Sequence, residues 1–246
     1  MPNLFEITRS PGEILARRTY VFDRLIMASP YISSDAITSI STADVQLMFE
    51  LYDEIFFDHR IKQAFPGQMK FSLSRRLTKS AAKTFYTRAT GGIMAAEKTI
   101  EIRMGVDFFI KYDEIETTKA VCGITTTCPL EAFLLVFEHE LCHALEFIHF
   151  ESSNCRGRRF KMIAKKIFGH TESYHELPTP REIAQAKYGL NIGDQVTFKY
   201  IGKRVEGILY NINKRATVIV RDRNGAFTDC QGNRYVKYYV PLDSLE

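Results

Sequence analysis

The sequence predicts an α+β protein, a mixed domain with a small antiparallel sheet followed by a smaller all-β module. Three observations lead there. Apolar residues recur at helical spacing from Val45 to Phe56 and from Leu130 to Ile148, alternate with polar ones between Lys70 and Met104, and beyond Gly193 fall only in short strand-like runs.

Residues 1–40 have mixed polarity, with Pro11-Gly12 and Ser29-Pro30 as breakers and a short helix expected over Glu13 to Met27. No chemistry attaches to them, and they read as an N-terminal extension. Ser41-Thr42-Ala43-Asp44 has the make-up of a helix start, and Val45, Met48, Phe49, Tyr52, Ile55 and Phe56 then form one apolar stripe. After Pro66-Gly67 the period changes. Lys70 to Ser74, Lys83 to Thr87 and Thr99 to Met104 read as three strands, with Gly91-Gly92 separating the last two. Arg75, Arg76, Lys79, Lys83 and Arg88 make this region basic, which a solvated strand edge explains as well as a polyanion does. Val121-Cys122-Gly123-Ile124 is expected to supply a strand beside the following helix. That helix should open near Thr127 or Cys128, because Pro129 suits a first turn and Glu131 suits its dipole.

Beyond a polar loop from Ser152 to Gly157, Phe160, Ile163, Ala164 and Ile167 mark another amphipathic helix that Gly169 ends. Arg158, Arg159, Lys161, Lys165 and Lys166 lie on its outer side, either as a solvated face or as a track for a phosphate backbone. Pro178-Thr179-Pro180 reads as the start of a linker. The segments 195–200, 205–210, 216–220 and 235–239 then supply four or five strands over residues 190–246, which suggests a small SH3-like barrel. Tyr200, Tyr210, Phe227, Tyr235, Tyr238 and Tyr239 interleave there with Lys and Arg, in a pattern that serves core packing or stacking on bases.

Composition bounds the function classes. The chain of 246 residues is 45% hydrophobic and can bury a sizeable core with residues left for a second module. No apolar run is long enough to span a membrane, and the N-terminus lacks a basic segment followed by an apolar one, so neither a span nor a secretory signal is expected. The five cysteines are odd in number and form no Cys-x-x-Cys pair, which predicts a reducing, intracellular compartment. The net charge of +4 is mild, so an argument for nucleic acid must rest on where the charge sits.

The chemistry centres on His139-Glu140-Leu141-Cys142-His143. Two histidines four residues apart on a helix project from one face and can share one Zn²⁺. Glu140 lies beside that face, placed to take a proton from a water at the metal rather than to ligate it. The apolar stripe of this helix lies roughly opposite the histidines, so one face can enter a core while the other lines a cleft.

With these residues assembled, about 42–177 resembles the SprT-like family. The resemblance rests on Leu51-Tyr52-Asp53-Glu54-Ile55-Phe56-Phe57, Phe71-Ser72-Leu73-Ser74-Arg75-Arg76, Gly123-Ile124, His139 to Ala144, and Gly157-x-x-Phe160-Lys161 with its helix running to His170. It implies a zincin-like zinc metallopeptidase domain over 41–178, with Zn²⁺ as cofactor and a protein substrate. In characterised members it also implies dependence on DNA and action on proteins crosslinked to it. Family members place a histidine before the glycine matching Gly157, and this histidine completes the zinc site. Arg156 stands there instead, and a guanidinium has no lone pair to donate.

Five other residues stand out as sources of a third ligand. His149 has the spacing found in metzincins, yet without a glycine at Glu146 the helix continues and carries it about 240° round and roughly 9 Å along from His143. His170 and His175 would have to fold back. Glu146, one turn past His143, fits better as a partner that orients a ligand histidine. Cys155, beside the family position in a loop, is the favoured third ligand, with an incomplete or water-completed site as the alternative. Two rival functions also remain at this level. One is a non-catalytic nucleic-acid-binding protein with a degenerate zinc site, and the other is a general metallopeptidase whose barrel binds protein partners.

Overall fold

The computed structural model describes residues 4–88 and 98–246, so the Gly91-Gly92 separator lies outside the described residues. The chain divides into two compact units, Met1–Leu177 and Pro178–Glu246.

In the first unit, α1 (Pro11–Ala28) opens on a capping box in which Ser10 and Glu13 bond each other's backbone. It is longer than the short helix expected, and its residues are no appendage. Val21 and Leu25 are fully buried in the same core as the histidine-bearing helix. Helix α2 (Thr42–Phe57) repeats the device with Ser41 and Asp44, and buries Val45, Met48, Tyr52 and Phe56. A short α3 (Arg60–Ala64) leads into the sheet.

The sheet is built from β1 (Gln68–Ser74), β2 (Ala82–Arg88) and β3 (Lys98–Gly105). Its order is β1-β3-β2, with β3 antiparallel to β2 but parallel to β1, so it is mixed where an antiparallel sheet was expected. The reason lies in the link from Arg75 to Ala81. Stepping across the place of a middle strand requires about 10 Å, and that link is long enough to do so. It passes the end of β3, where the Gly105 N–H donates to the Ala81 carbonyl at 2.7 Å.

Helix α4 (Val106–Ile110) then leads to a hairpin of β4 (Lys119–Val121) and β5 (Ile124–Thr126). Cys122 and Gly123 form its two-residue turn, with φ of 53° and 79°. The segment expected as a strand is thus a turn with both central residues left-handed, the geometry that suits a tight hairpin.

Helix α5 (Pro129–Phe150) starts at Cys128 with Pro129 in its first turn and runs unbroken past Glu146. Leu130, Phe133, Phe137, Leu141 and Leu145 are buried as the apolar stripe requires, but so are Ala132, Leu135, Val136 and Ala144 on other sides. A helix buried around most of its circumference is a core helix. It packs against β2, β3, α1, α4 and α6 (Arg158–Phe168).

In the second unit, Thr179 caps α7 (Pro180–Tyr188) through a capping box with Glu182, so the stretch read as a linker is helical. The remaining strands are β6 (Gln195–Tyr200), β7 (Lys203–Ile212), β8 (Ala216–Arg221), β9 (Phe227–Thr228) and β10 (Arg234–Val240). They form one antiparallel sheet in the order β6-β7-β8-β10-β9. The sheet is open, against the closed barrel expected. Strand β9 has two residues, too few to reach round, and the free edge of β6 is met by the chain end, where Thr197 and Glu246 exchange backbone hydrogen bonds of 2.8 and 3.0 Å. Val196, Phe198, Leu209, Val218 and Val240 on one face pack with Ala184 of α7 as a separate core.

Candidate metal centre

Helical spacing on α5 sets the His139 and His143 rings side by side, with centroids 5.0 Å apart. Phe160 of α6 packs against both, at 4.8 and 4.6 Å. The turn between the two helices brings in Cys155. Ligand atoms of His139, His143 and Cys155 all lie within 4.8 Å of one another. This is the one such group that includes the paired histidines among the described residues.

Glu146 builds the turn. The residue is 1% exposed, and its carboxylate accepts from Ser153 Oγ at 2.6 Å, the Asn154 N–H at 3.0 Å and Arg159 Nε at 2.6 Å. Asn154 then closes a local turn by accepting from the Arg156 N–H at 3.0 Å, which aims Cys155 inward and leaves Arg156 exposed. Because the Ser153 hydroxyl donates to Glu146, its oxygen accepts from His143 Nδ1–H at 2.6 Å. The tautomer is thereby set, and Nε2 of His143 keeps its lone pair.

His139 has a weaker partner. Its Nδ1 lies 3.5 Å from the sulfur of Cys122, at the tip of the β4–β5 hairpin. Burial pushes the Cys122 thiol up to about 12, so the sulfur is a neutral thiol at pH 7. Burial also lowers the pKa of His139 to about 3 and of His143 to about 4, the former helped by nearby His143 and the latter opposed by Glu146. Both imidazoles are therefore neutral, as metal ligation demands.

The Glu140 carboxylate meets β2. Thr84 Oγ1 on that strand donates to Glu140 Oε2 at 2.6 Å and also reaches the Glu140 carbonyl at 3.2 Å. Burial raises the carboxyl to about 7, against the lowering effect of these hydrogen bonds.

The other histidines are accounted for without the cluster. His149 stays on the helix, contacts the Leu145 carbonyl at 3.2 Å and stacks edge-on to Phe5. His170 does fold back, but its Nε2 meets Glu138 at 2.8 Å, and Nε2 of His175 accepts from the Ala81 N–H at 3.0 Å. Of the basic residues on α6, Arg158, Lys161, Lys165 and Lys166 are exposed. Arg159 is not like them. Besides holding Glu146 it stacks on Phe150, with its guanidinium carbon 3.9 Å from the ring centre. Ser153, Thr84, Cys122 and Glu138 escape a reading of the sequence because each acts on a partner from a different segment.

A set of two imidazoles and a thiolate is a zinc set, and three protein donors leave a fourth position open, as catalytic zinc sites do. Neutral rings, a tautomer fixed at His143 and a loop pinned by a buried carboxylate also fit the ion. No curated protein and no solved structure matches the chain significantly. The model of the SprT-like family matches residues 45–180, more than half of the sequence, and the chain belongs to that family.

Proposed function

We propose that the chain is a zinc-dependent peptidase of the SprT-like type that acts on proteins held on or crosslinked to DNA. The observation that carries this reading is the convergence of His139, His143 and Cys155, with the buried Glu140 next to His139 in the chain. Zn²⁺, when bound, polarises a carbonyl and makes water acidic enough to attack near neutral pH. The chain's own residues do the rest. His139 and His143 offer Nε2 and Cys155 offers sulfur. Glu140 Oε2 is occupied by Thr84, so Oε1 is the oxygen free to accept a proton from water and return it to the leaving amine. A carboxyl with a pKa raised to about 7 can do both near neutrality. Phe160 covers one side of both imidazoles and keeps water from them there.

The DNA part of the proposal draws on the family and on the exposed cations Arg158, Lys161, Lys165 and Lys166 of α6. The non-catalytic alternative needs an incomplete donor set, and Cys155 supplies the donor that Arg156 cannot. Metal analysis of purified protein tests the reading. Near-stoichiometric zinc is expected in the native chain and little in His139→Ala. Glu140→Gln should keep its zinc and lose peptide cleavage by about 10²–10⁴-fold. Native protein free of zinc, or full turnover in Glu140→Gln, would overturn it.

A further inference from the structure

We infer that the outer face of the second unit's sheet is a docking surface for single-stranded nucleic acid. The inference rests on the part of the proposed function that names a nucleic-acid partner, and it does not depend on the metal centre.

Strand alternation divides this sheet into two faces. Val196, Phe198, Leu209, Val218 and Val240 point into the small core. The register places the intervening residues together on the opposite side, where Ile208 pairs with Ile219, Ile219 with Lys237, and Arg221 with Tyr235. An antiparallel sheet that covers a core on one side normally shows polar residues on the other. Here Ile208 is 40%, Tyr210 46% and Tyr239 66% exposed. Three large apolar side chains on one solvent-facing sheet surface mark a binding surface.

The charge on that face selects the partner. Lys199, Arg221 and Lys237 share it with the rings, while Glu206 is the carboxylate that the strand register adds from β7. The whole unit, residues 178–246, holds eleven Lys or Arg against seven Asp or Glu, a balance of +4 that equals the net charge of the entire chain. The first unit is therefore neutral on balance, its cations on α6 offset elsewhere, and the chain's net positive charge lies in the second. Lys237 also organises the rings. Its Nζ lies 3.2 Å from the centre of Phe227 and 5.3 Å from that of Tyr210, and the two rings meet edge to face at 5.7 Å. Tyr210 is thus held in place rather than free to rotate. Ordered rings among cations suit a ligand that has both phosphates and accessible base faces. A duplex hides its base faces, and an acidic peptide has no use for the rings, so a single strand satisfies all of these observations together.

The test uses the full chain and a labelled 20-nucleotide oligothymidine, with anisotropy read over a salt series. Binding should be tighter than to a duplex of equal length. Tyr210→Ala and Tyr239→Ala should each weaken it about 5- to 140-fold. Lys237→Gln and Arg221→Gln should each lower the slope of log K against log salt by about 0.7. Far-ultraviolet melting checks that each variant is folded, and the Gln variants carry the test should an Ala variant not fold. Unchanged affinity in the Tyr210→Ala, Tyr239→Ala double variant would overturn the inference. So would binding lost only when Arg158, Lys161, Lys165 and Lys166 are changed to Ser, which would keep the partner and move its site to α6. Selective binding to phosphatidylserine vesicles rather than oligonucleotide would also overturn it. Zinc content and cleavage of an unbound peptide, read in parallel, report the metal centre separately.

Discussion

Replacing Glu146 with Ala should loosen the metal centre and the fold by different, separately measurable amounts. The side chain is 2% exposed, and its carboxylate takes hydrogen bonds from Ser153, Asn154 and Arg159 at 2.6, 3.0 and 2.6 Å. Each donor stranded in a buried place costs roughly 1–3 kcal/mol. Asn154 is exposed and the Arg159 side chain is 38% exposed, so water can replace the lost acceptor for both. The low end therefore applies, about 3 kcal/mol in all, or a fall in Tm of roughly 6–12 °C. The effect on zinc has another origin. Without Glu146 the Ser153 hydroxyl no longer fixes His143, and the turn no longer aims Cys155, which should weaken zinc by at least the 10- to 100-fold typical of a lost supporting group, about 1.4–2.8 kcal/mol. Competition against a chromogenic chelator measures the affinity, and thermal melting of the metal-free protein measures the stability. Glu146→Gln, which retains one acceptor oxygen, should fall between. A Glu146→Ala protein that melts early yet binds zinc at native strength would show that the carboxylate serves the fold alone.

Three further outcomes follow from the same geometry. Thr84→Val should lower kcat by about tenfold or more without changing zinc content, and Thr84→Ser should restore it, since the hydroxyl is what holds Glu140 Oε2. Zinc affinity should drop in Cys155→Ser by more than the ~10–100-fold expected for a supporting residue, while His149→Ala, which alters a contact with the Leu145 carbonyl one turn back on α5, should leave it within about twofold. Cys122→Gly should lower stability by only about 1–2 kcal/mol, because relief of the left-handed φ of 53° offsets part of the lost burial of a 2%-exposed side chain and the added chain entropy, yet weaken zinc about tenfold by removing the sulfur beside His139. Native zinc affinity in that variant would refute a role for the sulfur at His139.

What the sequence made legible was whatever a local rule encodes. Periodicity and Pro129 place α5, and four-residue spacing places its histidines on one face. The failures share a cause, which is that the deciding contact lies far along the chain. Alternation identifies β1 as a strand but carries no information on its neighbour, so the parallel pairing with β3 is invisible until the link at Arg75 to Ala81 is traced. Cys155 could be favoured by its position and chemistry, whereas Ser153 could not, because its importance arises from His143 and Glu146 ten and seven residues back. Helix α7 differs, since Thr179-Pro180-Arg181-Glu182 is a readable capping box that the flanking Pro178 disguised as a linker. The expectation of a closed barrel failed on strand length, as β9 is too short to close it.

The N-terminal segment, to which the sequence assigned no chemistry, bears on the metal centre through Glu138. Helix α5 is apolar on most sides, so hydrophobic burial alone leaves its rotation about its own axis weakly specified. A rotation of one residue is about 100° and would turn the histidines into the core. Glu138 supplies the missing directional term. Its fully buried carboxylate takes Arg18 Nε and Nη2 of α1 at 2.8 Å each, Tyr52 Oη of α2 at 2.8 Å and His170 Nε2 at 2.8 Å. Burial alone would raise this carboxyl, but Arg18 and His170 outweigh it and hold it below its usual range, so it is a carboxylate. Charge-assisted bonds are sharply directional where apolar contacts are not, and leaving one such partner unpaired in the interior is costly. Arg18 also donates to the Phe168 carbonyl at 2.8 Å, which ties the end of α6 to the same point. The residue immediately before His139 therefore fixes the angle at which the histidines emerge, and α1, outside the span matched to the family, provides the cation that makes this possible.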